Sequence, residues 1–152
     1  MSITPQDIKT SIDLVQRWVE DRQYRGWEPA DGNASPLRAL TFGHTFLQRV
    51  LQQVVLRSPI KLRPILRVPR AESNQARGYM AAGYVAMYRH TGEAHFREHA
   101  ELCLDWLIAN KSPNYSELSW GNNYPYATRG GKLPMREPII VWTSINGFAF
   151  LD

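Results

Sequence analysis

Aromatic and amide side chains concentrate in residues 120–126, which read Trp-Gly-Asn-Asn-Tyr-Pro-Tyr. Flat rings stack on sugar faces or on apolar ligands, and amides form hydrogen bonds with hydroxyl groups. We therefore expect Trp120 and Tyr124 to act as stacking platforms, with the asparagines and a nearby arginine contacting hydroxyl or carboxylate groups. The candidate ligand contacts are Trp120, Asn122, Asn123, Tyr124, Tyr126 and Arg129. The alternative is that the rings close the end of a helical layer, because large aromatic side chains are usually at least half buried.

Acidic side chains in predicted loops are the candidates for acid–base chemistry. Hydrolysis of a glycosidic bond needs two carboxyl groups, one as the acid and one as the base or nucleophile. The candidate catalytic residues are Glu28, Asp31, Glu117 and Glu137. No spacing in the sequence fixes a pair among them, so each is equally consistent with a solvated surface charge.

A metal or cofactor site has weak support in the sequence. His95, His99 and Cys103 are spaced four residues apart, which would place them on one face of a helix. No second cluster of cysteine or histidine supplies further ligands, and Cys103 resembles a small core residue. The chain also lacks a glycine-rich phosphate loop. We therefore expect no metal and no cofactor.

The composition is that of a mildly basic chain with enough apolar residues for one core. Its 152 residues are 43% hydrophobic and carry a formal net charge of +4. This fits one domain at 1–152 and permits an anionic ligand without requiring nucleic acid. The sequence contains no run of 18 apolar residues, so we expect no membrane span. The N-terminus lacks the features of a signal peptide and Cys103 is the single cysteine, which predicts a cytoplasmic setting.

Hydrophobic periodicity predicts five helices and therefore an all-α fold. Thr4 before Pro5 is a typical start of the first helix, and Gly92 marks the turn between the third and fourth helices. Thr143 or Ser144 is the expected N-cap of the last helix. The helices are expected at residues 5–21, 36 or 37 to 56, 71–90, 93–110 and from 143 or 144 onward.

Proline and glycine interrupt the helical pattern in three places. Residues 24–36 and 111–138 are expected to form loops, and alternation of helix direction would put both loops on the same rim. Residues 57–70 contain three prolines, which exclude a continuous helix, so we expect an extended connection. Its five basic residues would form either an anion-binding rim or a solvated connection whose apolar residues cover the core.

The helical hairpin resembles a known architecture. Residues 84–93, with a Tyr-rich helix end and the turn Thr-Gly-Glu, are followed by Phe-Arg-Glu-His-Ala at 96–100 and Asp-Trp-Leu at 105–107. Together with Trp-Gly at 120–121 and Thr-Ser-Ile-Asn-Gly at 143–147, this pattern resembles the hairpins of six-hairpin (α/α) toroids. It is similar to a subgroup found with bacterial polysaccharide genes, and the resemblance covers about residues 71–152.

This resemblance implies an incomplete (α/α) toroid of antiparallel helical hairpins that is a piece of a longer toroid. The implied function is carbohydrate-active or carbohydrate-binding, in polysaccharide metabolism or biosynthesis. An enzyme of this kind would be a glycoside hydrolase, a lyase or an epimerase. The unpaired inner faces of an incomplete ring would favour self-association.

Two other functions are compatible with helical repeats. One is a non-catalytic interaction module built like a solenoid. The other is an isoprenoid-handling toroid in which aromatic rings stabilise carbocations. The second is disfavoured, because the sequence has no Asp-rich acid motif and no diphosphate–metal motif.

The sequence of the long loop at 111–138 also predicts the directions of two of its side chains. We expect it to fold over the helix ends with Trp120 pointing inward and Arg129 near the rim. There Arg129 would hold an acidic sugar or pair with a loop carboxylate such as Glu137. An exposed ion pair contributes only about 0–1 kcal/mol to stability, so ligand contact would be the main role of this arginine.

Overall fold

The structure is a computed structural model that describes residues Ile3–Leu151. It is mainly helical, which confirms the all-α prediction. The α-helices are α1 (Pro5–Glu20), α2 (Thr45–Arg57), α3 (Leu62–Ile65), α4 (Asn74–Thr91), α5 (Ala94–Ala109) and α6 (Ile140–Leu151). Short strands are β1 (Arg25–Gly26), β2 (Ala71–Glu72), β3 (Tyr126–Ala127) and β4 (Lys132–Leu133). Within residues 3–151, none of the helices combines the length and apolar character needed to cross a bilayer.

The first helix begins as the sequence predicts. The backbone N–H of Asp7 donates to the Thr4 hydroxyl, and the Thr4 N–H donates to the Asp7 carboxylate at 2.9 Å. These reciprocal bonds satisfy donors that have no partner within the helix. After Glu20, Gln23 and Tyr24 take left-handed backbone angles (φ 51° and 59°). They redirect the chain into β1, which pairs antiparallel with β2.

The prediction of one continuous helix from residue 36 or 37 to 56 is wrong. Ser35 caps a 3₁₀ helix, Pro36–Thr41, by accepting a bond from the backbone of Leu37. The chain then breaks at Phe42 and Gly43, where φ is 48° and 74°. Left-handed angles end a right-handed helix, so α2 begins only at Thr45.

The connection at residues 57–70 is also not fully extended. It contains the four-residue helix α3, with Pro64 inside its first turn. Proline is tolerated there, because the first backbone N–H groups of a helix have no intrahelical partner. Arg67 then takes a left-handed angle (φ 53°), and the chain continues to β2.

Helices α4 and α5 form the predicted hairpin and hold the core. Gly92 follows α4 with φ 73° and its N–H bonds to the Tyr88 carbonyl at 2.8 Å. α6 packs on the other side of α4, where Gly78 faces Asn146 so closely that an added Cβ would lie 2.2 Å from the Asn146 Oδ1. The buried core cluster is Ala81, Tyr84, Phe96, Ala100, Cys103 and Ala149.

The last helix starts earlier than predicted. It begins at Ile140, so Thr143 lies inside the helix and does not cap it. The Thr143 hydroxyl accepts a bond from the Trp120 backbone N–H at 3.1 Å and so ties residue 120 to α6. The loop before α6 also contains regular structure, because β3 and β4 pair in a hairpin.

Candidate functional site

The two long loops meet on one rim of the helical layer, as the alternation of helix direction predicts. The Tyr124 hydroxyl donates to the Glu28 carboxylate at 2.9 Å. The Asn123 side chain donates to the carbonyl of Glu72, the last residue of β2, at 2.5 Å. The second loop is thereby fixed against β2 and against the residues that follow β1.

An open cavity of about 330 Å³ lies beside this junction. The C-terminal end of α1, residues 24–29 and the start of α4 form its walls. Three of its lining aromatic side chains keep a large exposed fraction: Trp18 is 54% exposed, Trp27 is 36% exposed and Tyr79 is 60% exposed. We call this cavity the aromatic groove.

Arginines surround the aromatic rings of the groove. The Arg22 guanidinium lies 4.2 Å from the centre of the Trp18 ring, and that of Arg70 lies 4.7 Å from the centre of the Trp27 ring. Such cation–π contacts hold a positive charge against the ring while leaving the other ring face free. Arg25 also lines the groove and is exposed. The groove is therefore both aromatic and positively charged.

A buried arginine and a histidine fix the tyrosine at the back of the groove. The Arg77 guanidinium pairs with Glu72 at 2.5 Å and lies 3.7 Å from the centre of the Tyr24 ring. The Tyr24 hydroxyl is 3.0 Å from His99 Nδ1, and His99 Nε2 is 3.2 Å from the Glu20 carboxylate. These contacts hold Tyr24 in its left-handed backbone conformation. Burial raises the pKa of Tyr24, so its hydroxyl stays protonated.

The two acidic candidates of the first loop have different surroundings. Glu28 is the one carboxylate among the described residues that line the aromatic groove. Asp31 is buried, and Arg63 Nε donates to both of its oxygens, at 2.9 and 3.2 Å. Arg63 also donates to the Glu28 carbonyl at 2.9 Å. Asp31 therefore acts through Arg63 to shape the backbone that presents Glu28.

The other two acidic candidates lie outside the aromatic groove. Glu117 is exposed. Glu137 accepts a bond from the Tyr115 hydroxyl at 2.9 Å. Within residues 3–151, no ion pair joins Glu137 to Arg129, so of the two roles expected for Arg129 the pairing with Glu137 is not formed. Its partner group is instead Tyr115, and Arg129 stays exposed after β3.

Trp120 points inward as predicted, and it closes the end of the helical layer. The side chain is 1% exposed, and its Nε1 donates to the Leu107 carbonyl at 2.9 Å. The indole stacks on Phe150 with ring centres 5.9 Å apart. With its ring covered in this way, Trp120 presents no free face for stacking on a ligand. Its role is therefore the alternative one, in which the ring closes the end of a helical layer.

The other side chains of residues 120–126 are also held by packing and hydrogen bonds. The buried Asn122 accepts a bond from the Trp142 indole at 2.5 Å. Tyr124 is buried against Glu28, and Tyr126 is half-buried in β3. Gly121 has no space for a side chain, because a Cβ there would lie 1.8 Å from the Glu137 carbonyl oxygen. None of residues 120–126 lines the aromatic groove; Asn123 and Tyr124 support it from outside through Glu72 and Glu28.

Sequence reasoning missed the aromatic side chains that do line the groove. Trp18 and Tyr79 belong to apolar helix patterns, which predict burial for both. The available signal was Trp27 next to Glu28, an aromatic ring beside a loop carboxylate. Ligand pockets combine aromatic lining with a small number of polar groups, and these two neighbours supply one of each.

The four-residue spacing of His95, His99 and Cys103 does not make a metal site. Cys103 is buried and its sulfur accepts from Arg77 at 3.5 Å, whereas His99 turns toward Tyr24. Over residues 3–151, no group of three or more His, Cys, Asp or Glu side chains is arranged to hold a metal ion.

Comparison with models of protein families, with curated proteins and with solved structures gave no match. The resemblance to six-hairpin toroids therefore stays a prediction.

Proposed function

We propose that this chain binds an acidic carbohydrate in the aromatic groove. The observation that carries the proposal is the combination of exposed rings, unpaired arginines and one carboxylate around a single cavity of about 330 Å³. The incomplete (α/α) toroid is the architecture that we propose to hold this groove. The function would belong to polysaccharide metabolism or biosynthesis.

The exposed aromatic rings of the groove favour a ligand that can stack on them. Trp18, Trp27 and Tyr79 come from α1, from the residues after β1 and from α4, so three separate elements direct rings toward one cavity. Exposed rings of this size cost free energy in water, and the apolar face of a sugar ring covers them well. The Trp27 indole N–H bonds to the Val68 carbonyl at 3.0 Å, which holds that ring in position before a ligand arrives.

Positive charge around the groove favours an anionic ligand. Within residues 3–151, Arg22, Arg25 and Arg70 take part in no ion pair. Arginine binds carboxylate and sulfate groups through two parallel hydrogen bonds. Arg22 and Arg25 line the groove, and Arg70 lies over its Trp27 ring. Glu28 is the one carboxylate among the described lining residues, so the excess of positive charge favours an anionic ligand over a neutral one. A uronic acid sugar has both the apolar ring face and the negative charge.

The role proposed for Glu28 depends on whether the groove is catalytic. In a binding groove, Glu28 accepts hydrogen bonds from sugar hydroxyls. Hydrolysis by two carboxylates is disfavoured, because Asp31 is buried and fully engaged by Arg63. A lyase or epimerase begins by removing the proton next to a uronate carboxyl. That step needs one base, and Glu28 is the groove residue suited to it.

A matched pair of tyrosine variants tests the proposed groove. Tyr79 lines the groove, whereas Tyr88 lies nine positions later on the same helix and outside it. Alanine is a good helix former, so both variants should fold. We expect Tyr79→Ala to weaken binding of a uronic acid oligosaccharide about tenfold, which corresponds to about 1.4 kcal/mol. Tyr88→Ala should bind like the unmodified protein in isothermal titration calorimetry.

The carboxyl-reduced form of the same oligosaccharide is the ligand control. It keeps the apolar ring faces and removes the negative charge, so we expect its binding to be clearly weaker. Equal affinity for both saccharides would contradict the charge argument. Equal losses in the two tyrosine variants would contradict the assignment of the groove.

Exposed apolar side chains support a second candidate function, a non-catalytic helical interaction module that also self-associates. Phe42 is 90% exposed before α2, and Phe148 is 65% exposed on α6. Exposed apolar patches of this kind often mark contacts between proteins. This candidate gains over the first if neither saccharide binds.

A further inference from the structure

A second cavity, of about 280 Å³, lies between α2 and the β3–β4 hairpin. None of its lining residues belongs to the aromatic groove. The lining is mostly polar and includes two arginines, one on α2 and one after β3. The lining residues are Arg49, Gln52, Gln53, Tyr126, Ala127, Thr128 and Arg129.

One buried glutamine places the two arginines at this cavity. The Gln52 Oε1 accepts a bond from the Ala127 N–H at 2.8 Å, which ties β3 to α2. Arg49 precedes Gln52 by three positions and therefore shares its helix face. Arg129 follows Ala127 by two residues, in a turn that the bond from the Thr128 N–H to the Gly131 carbonyl closes at 2.7 Å. Both guanidinium groups therefore extend from fixed backbone.

The charges at this cavity are not compensated within the described part of the chain. No carboxylate lines the cavity, and neither Arg49 nor Arg129 forms an ion pair with any residue from 3 to 151. Two like charges that share one cavity repel each other. Binding of an anion would remove that repulsion and supply acceptors for both guanidinium groups.

We infer that this cavity is an anion site for an oxyanion group, that is, a phosphate, sulfate or carboxylate. A guanidinium group matches the spacing of two oxygens on such a group through parallel, charge-assisted hydrogen bonds, and this cavity has two guanidinium groups in its lining. Gln53, Tyr126 and Thr128 add polar groups for the remainder of the molecule that carries it. The inference does not depend on the aromatic groove.

Titration with inorganic phosphate, sulfate and glucuronate at constant ionic strength tests this site. We expect at least one of the three to raise the melting temperature and to bind in calorimetry. Arg49→Gln and Arg129→Gln should each weaken that binding at least tenfold. Arg57→Gln, which alters an exposed arginine of α2 outside the cavity, should leave it unchanged.

Two controls keep the test decisive. Arg129→Lys keeps a positive charge at an exposed position, so it should retain more affinity than Arg129→Gln in a folded protein. Tyr79→Ala should retain full anion binding, since it alters only the aromatic groove. The inference is overturned if none of the three anions binds, or if the Arg49→Gln/Arg129→Gln double variant binds as well as the unmodified protein.

Discussion

Glu28 and Asp31 are acidic residues three positions apart in one loop, yet they meet different surroundings. Asp31 is enclosed by the 3₁₀ turn Asp31–Ala34 and held by Arg63, whereas Glu28 keeps part of its surface free at the groove. Burial raises the pKa of Asp31, and the Arg63 guanidinium opposes this shift without cancelling it. Nothing in the sequence distinguishes the two, since Arg63 lies 32 residues later in the chain.

The raised pKa of Asp31 predicts how stability changes with pH. Its ordinary value is 3.8, so as pH rises above 3.8 the unfolded chain releases this proton before the folded protein does. The folded state then binds more protons, and its stability falls until Asp31 is ionised in both states. Urea unfolding between pH 3 and 7 should show the unmodified protein losing stability relative to Asp31→Asn with rising pH. A relative gain over that range would show that the Arg63 pair dominates.

The cap of α1 was predictable because its interactions are local. Thr4 and Asp7 are three positions apart, and the bonds between them follow from their types and spacing. Whether the Trp120 ring is covered or free to stack on a ligand was not predictable in the same way. Its burial depends on Leu107 and Phe150, which come from two different helices, and an indole in a loop has the same sequence pattern whether it is covered or free.

At the scale of elements, the α4–α5 hairpin was predicted and the break before α2 was not. Gly92 is a local signal for the end of a helix. The apolar pattern, by contrast, continues through Phe42 without interruption, although that residue has a left-handed backbone. The β1–β2 pair joins Arg25 to Glu72, and such distant pairing has no signal in a two-residue strand.

The contact between the two loops leads to a prediction about Tyr124. Its buried hydroxyl donates to Glu28 and joins elements that are far apart in sequence. Tyr124→Phe removes this bond with little change of volume, so we expect a loss of about 1 kcal/mol in the free energy of unfolding.

Tyr115→Phe is the matched control for Tyr124→Phe. It removes an exposed bond to Glu137 and should cost less than about 0.5 kcal/mol. Chemical denaturation of both variants gives the comparison. Equal losses would show that the contact between the loops does not contribute more than a surface bond.

At the scale of the molecule, the helical layer and the rim have different roles. α4, with α5 and α6 against it, carries the buried core, and the loops on the rim carry the polar and aromatic groups. The all-α class followed from hydrophobic periodicity. The sequence placed the ligand site at residues 120–126, whereas the cavity with free aromatic rings lies beside residues 24–29. Residues 120–126, the segment with the higher density of aromatic residues, instead close the end of the helical layer.

The tryptophan side chains permit the most direct test of the aromatic groove, because each indole N–H gives its own signal in an ¹⁵N-resolved NMR spectrum. Trp18 and Trp27 line the groove, whereas Trp120 and Trp142 are held by Leu107 and Asn122 away from it. Titration with a uronic acid oligosaccharide should shift the signals of Trp18 and Trp27 and leave those of Trp120 and Trp142 unchanged. Shifts confined to Trp120 and Trp142, or no shifts at saturating saccharide, would contradict the account.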